Sequence, residues 1–201
     1  MFTVFLVDDD AGVIKALSRL VQVRGYSAAP YTCARAFLDD HDAAVPGCAI
    51  LDVAMPDLDG LELQQALTAR GIARPIIFLT GNGDIPMTVR AMKAGAVDFL
   101  TKPVSVDDLM AAIERAQDVD SRARQAQAEL DLAESRIAKL TPREREVLTH
   151  VVAGRLNKQI AYELGTVEKT IKFHRGSIMK KLGVRMVADL VRLAEKAGIS
   201  K

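Results

Sequence analysis

Cys48-Ala49-Ile50-Leu51-Asp52-Val53-Ala54-Met55-Pro56 decides how the rest of the 201 residues are read. Its apolar half reads as a buried strand, and it ends in a carboxylate instead of a turn residue. Pro56, Asp57, Asp59 and Gly60 then break the chain, and an apolar-periodic helix starts at Leu61. In an open parallel sheet, ligands bind beyond the carboxyl ends of the strands. Asp52 therefore stands where a metal ligand, a nucleophile or a helix cap would stand, and its neighbours must choose among them.

Working outward, Thr3–Val7 is a second buried apolar run, followed by Asp8-Asp9-Asp10. Gly12 is expected to open a helix on Val13, Leu17, Leu20 and Val21, closed by Gly25. A weaker strand over Ser27–Tyr31 leads to a helix through Ala34, Phe37 and Leu38. After the helix from Leu61 to about Ala69, Ile76–Thr80 forms a strand running into Gly81-Asn82-Gly83. A helix with Pro86 in its first turn ends at Gly95. A short strand, Val97–Leu100, then reaches Thr101-Lys102-Pro103, whose Lys-Pro bond is a candidate cis peptide. Ser105 caps the next helix, with Asp108 in capping-box spacing. Five strands alternating with five helices predict an α/β fold: a doubly wound, five-stranded parallel sheet.

The last helix does not stop. From Leu109 to Leu140 there is no Gly or Pro, and Leu109, Ala112, Ala116, Val119, Ala123, Ala126, Leu130, Ala133, Ile137 and Leu140 follow heptad spacing. Such an alanine-rich seam fits either a dimeric coiled coil or a single spacer helix. Thr141-Pro142-Arg143-Glu144 is a strong helix start. It opens an all-α segment of four helices, with Asn157 as expected cap of the second and Gly165 in the tight turn before the third. That pattern fits a helix-turn-helix.

Charge divides the same way. Residues 1–118 carry 10 Lys/Arg against 16 Asp/Glu, a net −6; residues 119–140 carry 4 of each; residues 141–201 carry 13 against 6, a net +7. An acidic part suits cations and a basic part suits polyanions. Cys33 and Cys48 do not make a disulfide framework, and no apolar run reaches the ~20 residues of a membrane span. With strand-like sequence following Met1 directly, a cytosolic protein without a membrane partner is expected. His41 and His150 lack companion ligands and receive no metal role.

Four strand ends now bring Asp8 and Asp9, Asp52, Thr80 and Lys102 to one edge. Three neighbouring carboxylates do not all stay ionised cheaply without a cation, and all-oxygen ligation suits Mg²⁺. Lys102 adds the point charge and Thr80 the hydroxyl that a transferring phosphoryl group needs. In the basic part, the helix 168–181 keeps Ile171 and Ile178 on one side, while Lys169, Lys172, His174 and Arg175 crowd the other. A helix of this kind enters a DNA major groove.

Here the chain resembles two-component response regulators. The matching residues are Val7-Asp8-Asp9-Asp10, Leu51–Pro56 with Asp57-Leu58-Asp59-Gly60, Leu79-Thr80-Gly81 and Lys102-Pro103. The runs 80–87 and 91–100 look most like the FixJ branch. The resemblance implies that Asp52 is the phosphoacceptor, with Thr80 and Lys102 assisting. Asp8, Asp9, Asp52 and the Ala54 carbonyl would hold Mg²⁺, and Thr80 and Phe99 would form a switch pair. By the same analogy, Ala54 and Asn82 would help set the lifetime of the phosphate.

The basic part is similar to LuxR/FixJ-type DNA-binding domains through Leu140–Glu144, Asn157–Ala161, Thr170–His174 and Lys181–Val184. By this likeness Lys172, Phe173 and the side-chain-free Gly176 would lie near bases, and Lys158, Thr170, His174 and Arg175 near the DNA backbone, with Lys169 on the same DNA-binding face.

The expectation is a receiver over 1–118, a helical linker over 119–140 and a DNA-binding domain over 141–201. The implied partners are a sensor histidine kinase, promoter DNA and RNA polymerase, with a homodimer forming on phosphorylation and activation as the outcome. Unmasking of the basic helix is the alternative coupling. Aspartyl-phosphate hydrolases commonly place a second Asp two residues after the nucleophile. Ala54 stands there, which argues against a turnover enzyme.

Overall fold

The computed structural model describes residues 1–81 and 83–199. The chain divides into two compact units, Met1–Arg124 and Gln125–Lys201.

The first unit is built on strands β1 (Thr3–Val7), β2 (Ser27–Tyr31), β3 (Gly47–Leu51), β4 (Ile76–Thr80) and β5 (Asp98–Thr101). All pair in parallel, in the order β2-β1-β3-β4-β5. The central strands β3 and β4 are buried throughout, which explains why they read as unbroken apolar runs rather than alternating ones. Pro30 sits in β2, at the sheet edge, where a missing ladder donor is tolerated.

Both faces of the sheet are covered. On one, Phe5, Val7, Leu51 and Phe78 pack with Phe37 of α2 (Ala34–Asp40), Leu63 and Leu67 of α3 (Gly60–Ala69) and Ala91 of α4 (Ile85–Lys93). On the other, Val4, Leu6, Ile50 and Ile77 pack with Leu17 and Val21 of α1 (Ala11–Val23) and Leu109, Ile113 and Ala116 of α5 (Val106–Ile137). The doubly wound expectation holds.

The register sets the pocket. Leu51 lies level with Val7 on one side and Phe78 on the other, so Asp8 and Asp52 emerge side by side at the next step. Helix α3 starts close beneath this edge. A Cβ on Gly60 would stand 2.4 Å from the Asp52 carbonyl oxygen, so only glycine admits that approach.

Two capping expectations are corrected. Asp10, not Gly12, starts α1: its Oδ1 accepts from the Gly12 and Val13 amides at 2.7 and 3.3 Å. The third aspartate is thereby spent as a cap. Helix α7 (Asn157–Glu163) is entered through Leu156, and Asn157 instead accepts a hydrogen bond from Arg175 Nη1 at 2.7 Å.

Helix α5 is continuous over 32 residues, and the two ends of its seam are buried within the chain. Leu109, Ala112 and Ala116 are buried in the sheet unit's core, and Ile137 and Leu140 in the helical unit's core. Val119, between them, is 45% exposed. Ala123 and Ala126, next along the seam, are exposed as well, so the seam is buried at its two ends and open in its middle. Arg124 holds the helix to the first unit through the carbonyls of Ala43, Ala44 and Val45, and its guanidinium is steadied by an ion pair with Asp120 one turn earlier on the same helix.

The second unit comprises the end of α5, α6 (Pro142–Val152), α7, α8 (Glu168–Leu182) and α9 (Val187–Lys196). Its core joins Val147, Leu148, Ile160, Ile171, Ile178 and Leu190. Thr141 and Glu144 form the expected capping box at the start of α6.

Candidate functional site

At the carboxyl edge of the sheet, Asp8 and Asp52 are 4% and 6% exposed. Lys102 reaches both: its Nζ donates to Asp8 Oδ2 at 2.6 Å and to Asp52 Oδ1 at 3.1 Å. The Asp10 amide donates to Asp8 Oδ1 at 2.9 Å, and the Ala54 amide to Asp52 Oδ2 at 3.1 Å. Asp9 is exposed, yet one oxygen from each of Asp8, Asp9 and Asp52 lies within 4.8 Å of the others.

The electrostatics are lopsided. Partial burial alone lowers the Lys102 pKa, but hydrogen bonds and charge from Asp8 and Asp52 outweigh it, so the net shift is upward. With Lys102 protonated and all three carboxylates ionised, the four side chains sum to −2. An all-oxygen cluster with that charge fits a hard divalent cation.

The remaining expected residues converge on the same edge. Thr80 is buried, and its carbonyl accepts from the Lys102 amide at 2.8 Å. The Lys102–Pro103 peptide is cis. Phe99 is half-buried beside Phe78, with ring centroids 5.9 Å apart. A Cβ on Gly81 would meet nothing within 4 Å, leaving room beside the carboxylates. Asn82 lies outside the described residues. Asp57 adopts φ +68° in the loop following Asp52, and Asp59 caps α3 through a capping box with Glu62.

In the helical unit, α7 and α8 are joined through Gly165 and Thr166. Ile171, Ile178 and Leu182 anchor α8 in the core, while Lys169, Lys172 and Phe173 are exposed and Thr170, His174 and Arg175 half-exposed. Phe173 is 74% exposed. Lys158 is exposed on α7. Arg175 is partly committed to Asn157, which joins the two helices of the motif. Lys172 Nζ forms an exposed pair with Glu168 at 3.2 Å.

Two polar clusters escaped the sequence reading. Arg74, 7% exposed, donates to the carbonyls of Asp42, Val45 and Gly47 and to His41 Nε2 at 2.9 Å. Burial, reinforced by the Arg74 charge, holds the His41 pKa down at about 4, so its imidazole is neutral and accepts. In the second unit, Glu144 accepts from Ser177, Lys181 and the Thr141 amide. Both clusters join residues far apart in sequence, and no local spacing announces them.

A doubly wound domain with an acid-lined pocket and a lysine, followed by a helix-turn-helix unit with a basic outer face, defines a signal-receiving DNA-binding protein. Residues 4–114 match the response regulator receiver domain, and residues 138–194 match the bacterial regulatory proteins of the luxR family. Nodulation protein W of Bradyrhizobium diazoefficiens is 44% identical over 197 residues, covering 98% of this chain and 87% of that one. The response regulator protein TmoT of Ectopseudomonas mendocina is 44% identical over 193 residues, covering 96% and 88%. The solved structure of the response regulator StyR is 47% identical with a TM-score of 0.86, covering 97% and 98%.

The chain belongs to the response regulators that join a receiver domain to a LuxR-type DNA-binding domain. It is a transcription regulator, and its two domains imply a histidine kinase and promoter DNA as partners. Among the described residues no helix is long and apolar enough to cross a membrane.

Proposed function

We propose that Asp52 accepts a phosphoryl group from the phosphohistidine of a sensor histidine kinase, and that its phosphorylation governs dimerisation and promoter binding through α8. The observation that carries this reading is Lys102 Nζ spanning Asp8 and Asp52, with Asp9 alongside. An Asp52 oxygen attacks phosphorus, the P–N bond breaks, and the imidazole leaves with the electron pair and takes up a proton. Lys102 faces the charge that develops on the phosphoryl oxygens, and Thr80 offers its hydroxyl. Asp8, Asp9, Asp52 and the Ala54 carbonyl would hold Mg²⁺, which when bound offsets negative charge on the phosphoryl group.

Thr80 and Phe99 then act as the switch pair. Lys158, Lys169, Thr170, His174 and Arg175 serve the DNA backbone, with Lys172 and Phe173 toward the bases. The receiver spans 1–118, the linker 119–140 and the DNA-binding domain 141–201. The protein works in the cytoplasm as an activator that contacts RNA polymerase. It turns over nothing but its own phosphate, in keeping with Ala54 two residues beyond Asp52.

Incubation with acetyl phosphate and Mg²⁺ should label the wild type with an acid-labile phosphate and leave Asp52→Asn unlabelled. Normal labelling of the variant would remove Asp52 from the role.

A further inference from the structure

We infer that Gly83 is a positioning residue for Phe99: its missing side chain is the seat on which the ring edge and the Thr80 methyl meet, and filling that seat uncouples phosphorylation from DNA binding. The inference rests on the switch reading of Thr80 and Phe99 proposed above.

Glycines in turns commonly serve backbone conformation, and seven among the described residues have positive φ. Gly83 is not among these seven. What excludes a side chain is space. A Cβ on Gly83 would stand 2.8 Å from Phe99 Cε1, 3.3 Å from Phe99 Cζ and 3.3 Å from Thr80 Cγ2. The first distance lies well inside the ~3.5–4.0 Å optimum of carbon contacts, where repulsion is steep.

The two targets differ in how they can yield. Thr80 is 1% exposed at the end of β4, enclosed by the core. Phe99 is half-buried on β5, level with Phe78, so of the two side chains it is the less enclosed. A methyl at position 83 therefore displaces the ring. Gly81, two residues earlier, makes the contrast: a Cβ there meets nothing within 4 Å. One glycine of the loop keeps the Asp52 pocket open, and the other is filled by the switch aromatic.

The three atoms nearest a Cβ at Gly83 belong to Phe99 and Thr80 and not to the reacting carboxylates, so the two functions separate. In Gly83→Ala, acid-labile labelling by acetyl phosphate should stay within about twofold of wild type, while the phosphorylation-dependent gain in DNA affinity falls by about tenfold or more. With 4-fluorophenylalanine incorporated at the six phenylalanines, the Phe99 resonance, assigned by its absence in F99L, should shift in G83A. Because leucine lacks Cε1 and Cζ, G83A should add no further loss in the F99L background.

An unmoved Phe99 resonance, an undiminished gain in DNA affinity, or an equal G83A effect in both backgrounds overturns the inference. So does loss of labelling in G83A, which would place Gly83 in the chemistry itself. A wild type that neither labels nor gains affinity overturns the underlying reading together with this one, and is told apart because the parent protein fails.

Discussion

Each unit of the molecule buries a carboxylate against a lysine, and the two pairs are built for opposite ends. Glu144, 4% exposed, receives Ser177 Oγ on Oε1 at 2.7 Å, and Lys181 Nζ and the Thr141 amide on Oε2 at 2.7 and 2.8 Å. One carboxylate meets one ammonium and two further donors. Among the described residues the Ala54 amide and Lys102 each donate to one Asp52 oxygen, and that ammonium is shared with Asp8 while Asp9 brings a third carboxylate. The saturated carboxylate ties α6 to α8. The underserved one sits beside open space and has charge left to bind a cation and an oxygen lone pair to attack with. Residue types alone do not distinguish them; the supply of donors does.

Removing each lysine should break the comparison most visibly. Lys102→Ala leaves Asp8 and Asp52 buried without a counter-charge, at a cost of about 2–3 kcal/mol, below the usual buried-pair figure because the Lys102 side chain is 25% exposed. A divalent cation can replace that charge, so Mg²⁺ should restore most of the loss, whereas Lys181→Ala should respond no more to Mg²⁺ than wild type. Urea unfolding with and without chelator checks both. Equal magnesium response in the two variants would contradict the assignment of the acidic pocket as the cation site.

Glu144 should show its role through pH. Burial raises its pKa, but hydrogen bonds from Lys181, Ser177 and Thr141 outweigh this and bring it to about 2, against an ordinary 4.5. The folded state thus binds fewer protons than the unfolded one between those values. The stabilisation is present above about 4.5 and is lost as pH falls toward about 2. Glu144→Gln should lower stability by about 1–2 kcal/mol at neutral pH and flatten this acid limb for the helical unit. An unchanged acid limb would mean the carboxylate is not held as described.

How much of this was legible follows from the same contrast. The receiver fold and pocket could be read because every participant sits at the end of an apolar run: Asp8 after β1, Asp52 after β3, Thr80 on β4, Lys102 after β5. Periodicity found the strands, and the parallel topology brought their ends together. Glu144 could be read only as a box residue for Thr141, because Ser177 and Lys181 come 33 and 37 positions later. Arg74 lay beyond reach too, since its partners span 41–47 and Asp120. Helix α5 is ambiguous in a different way. Its heptad spacing is real, but a spacing of three and four serves an intrachain core as well as a partner helix, and here both ends pack inward. Gly83 is a fourth case: sequence marks it as a turn residue, and only the Phe99 ring edge shows that space is the constraint.

The smallest effect tests saturation itself. If Glu144 is stable because all its donors act together, losing the neutral one should cost little but measurably. Ser177→Ala removes one 2.7 Å hydrogen bond to Oε1 and keeps Lys181 and the Thr141 amide on Oε2. The expected loss is about 0.5–1.5 kcal/mol, because a carboxylate oxygen loses its partner in a nearly dry site. The Glu144 pKa should rise from about 2 toward its ordinary value, though not reach it while Lys181 remains, and carboxylate NMR titration reads that shift directly. In combination with Lys181→Ala the loss should exceed the sum of the two single losses, since the second change leaves the buried charge with the Thr141 amide alone among these donors. Simple additivity would mean that each donor acts separately and that the saturated carboxylate is no more a unit than the open one.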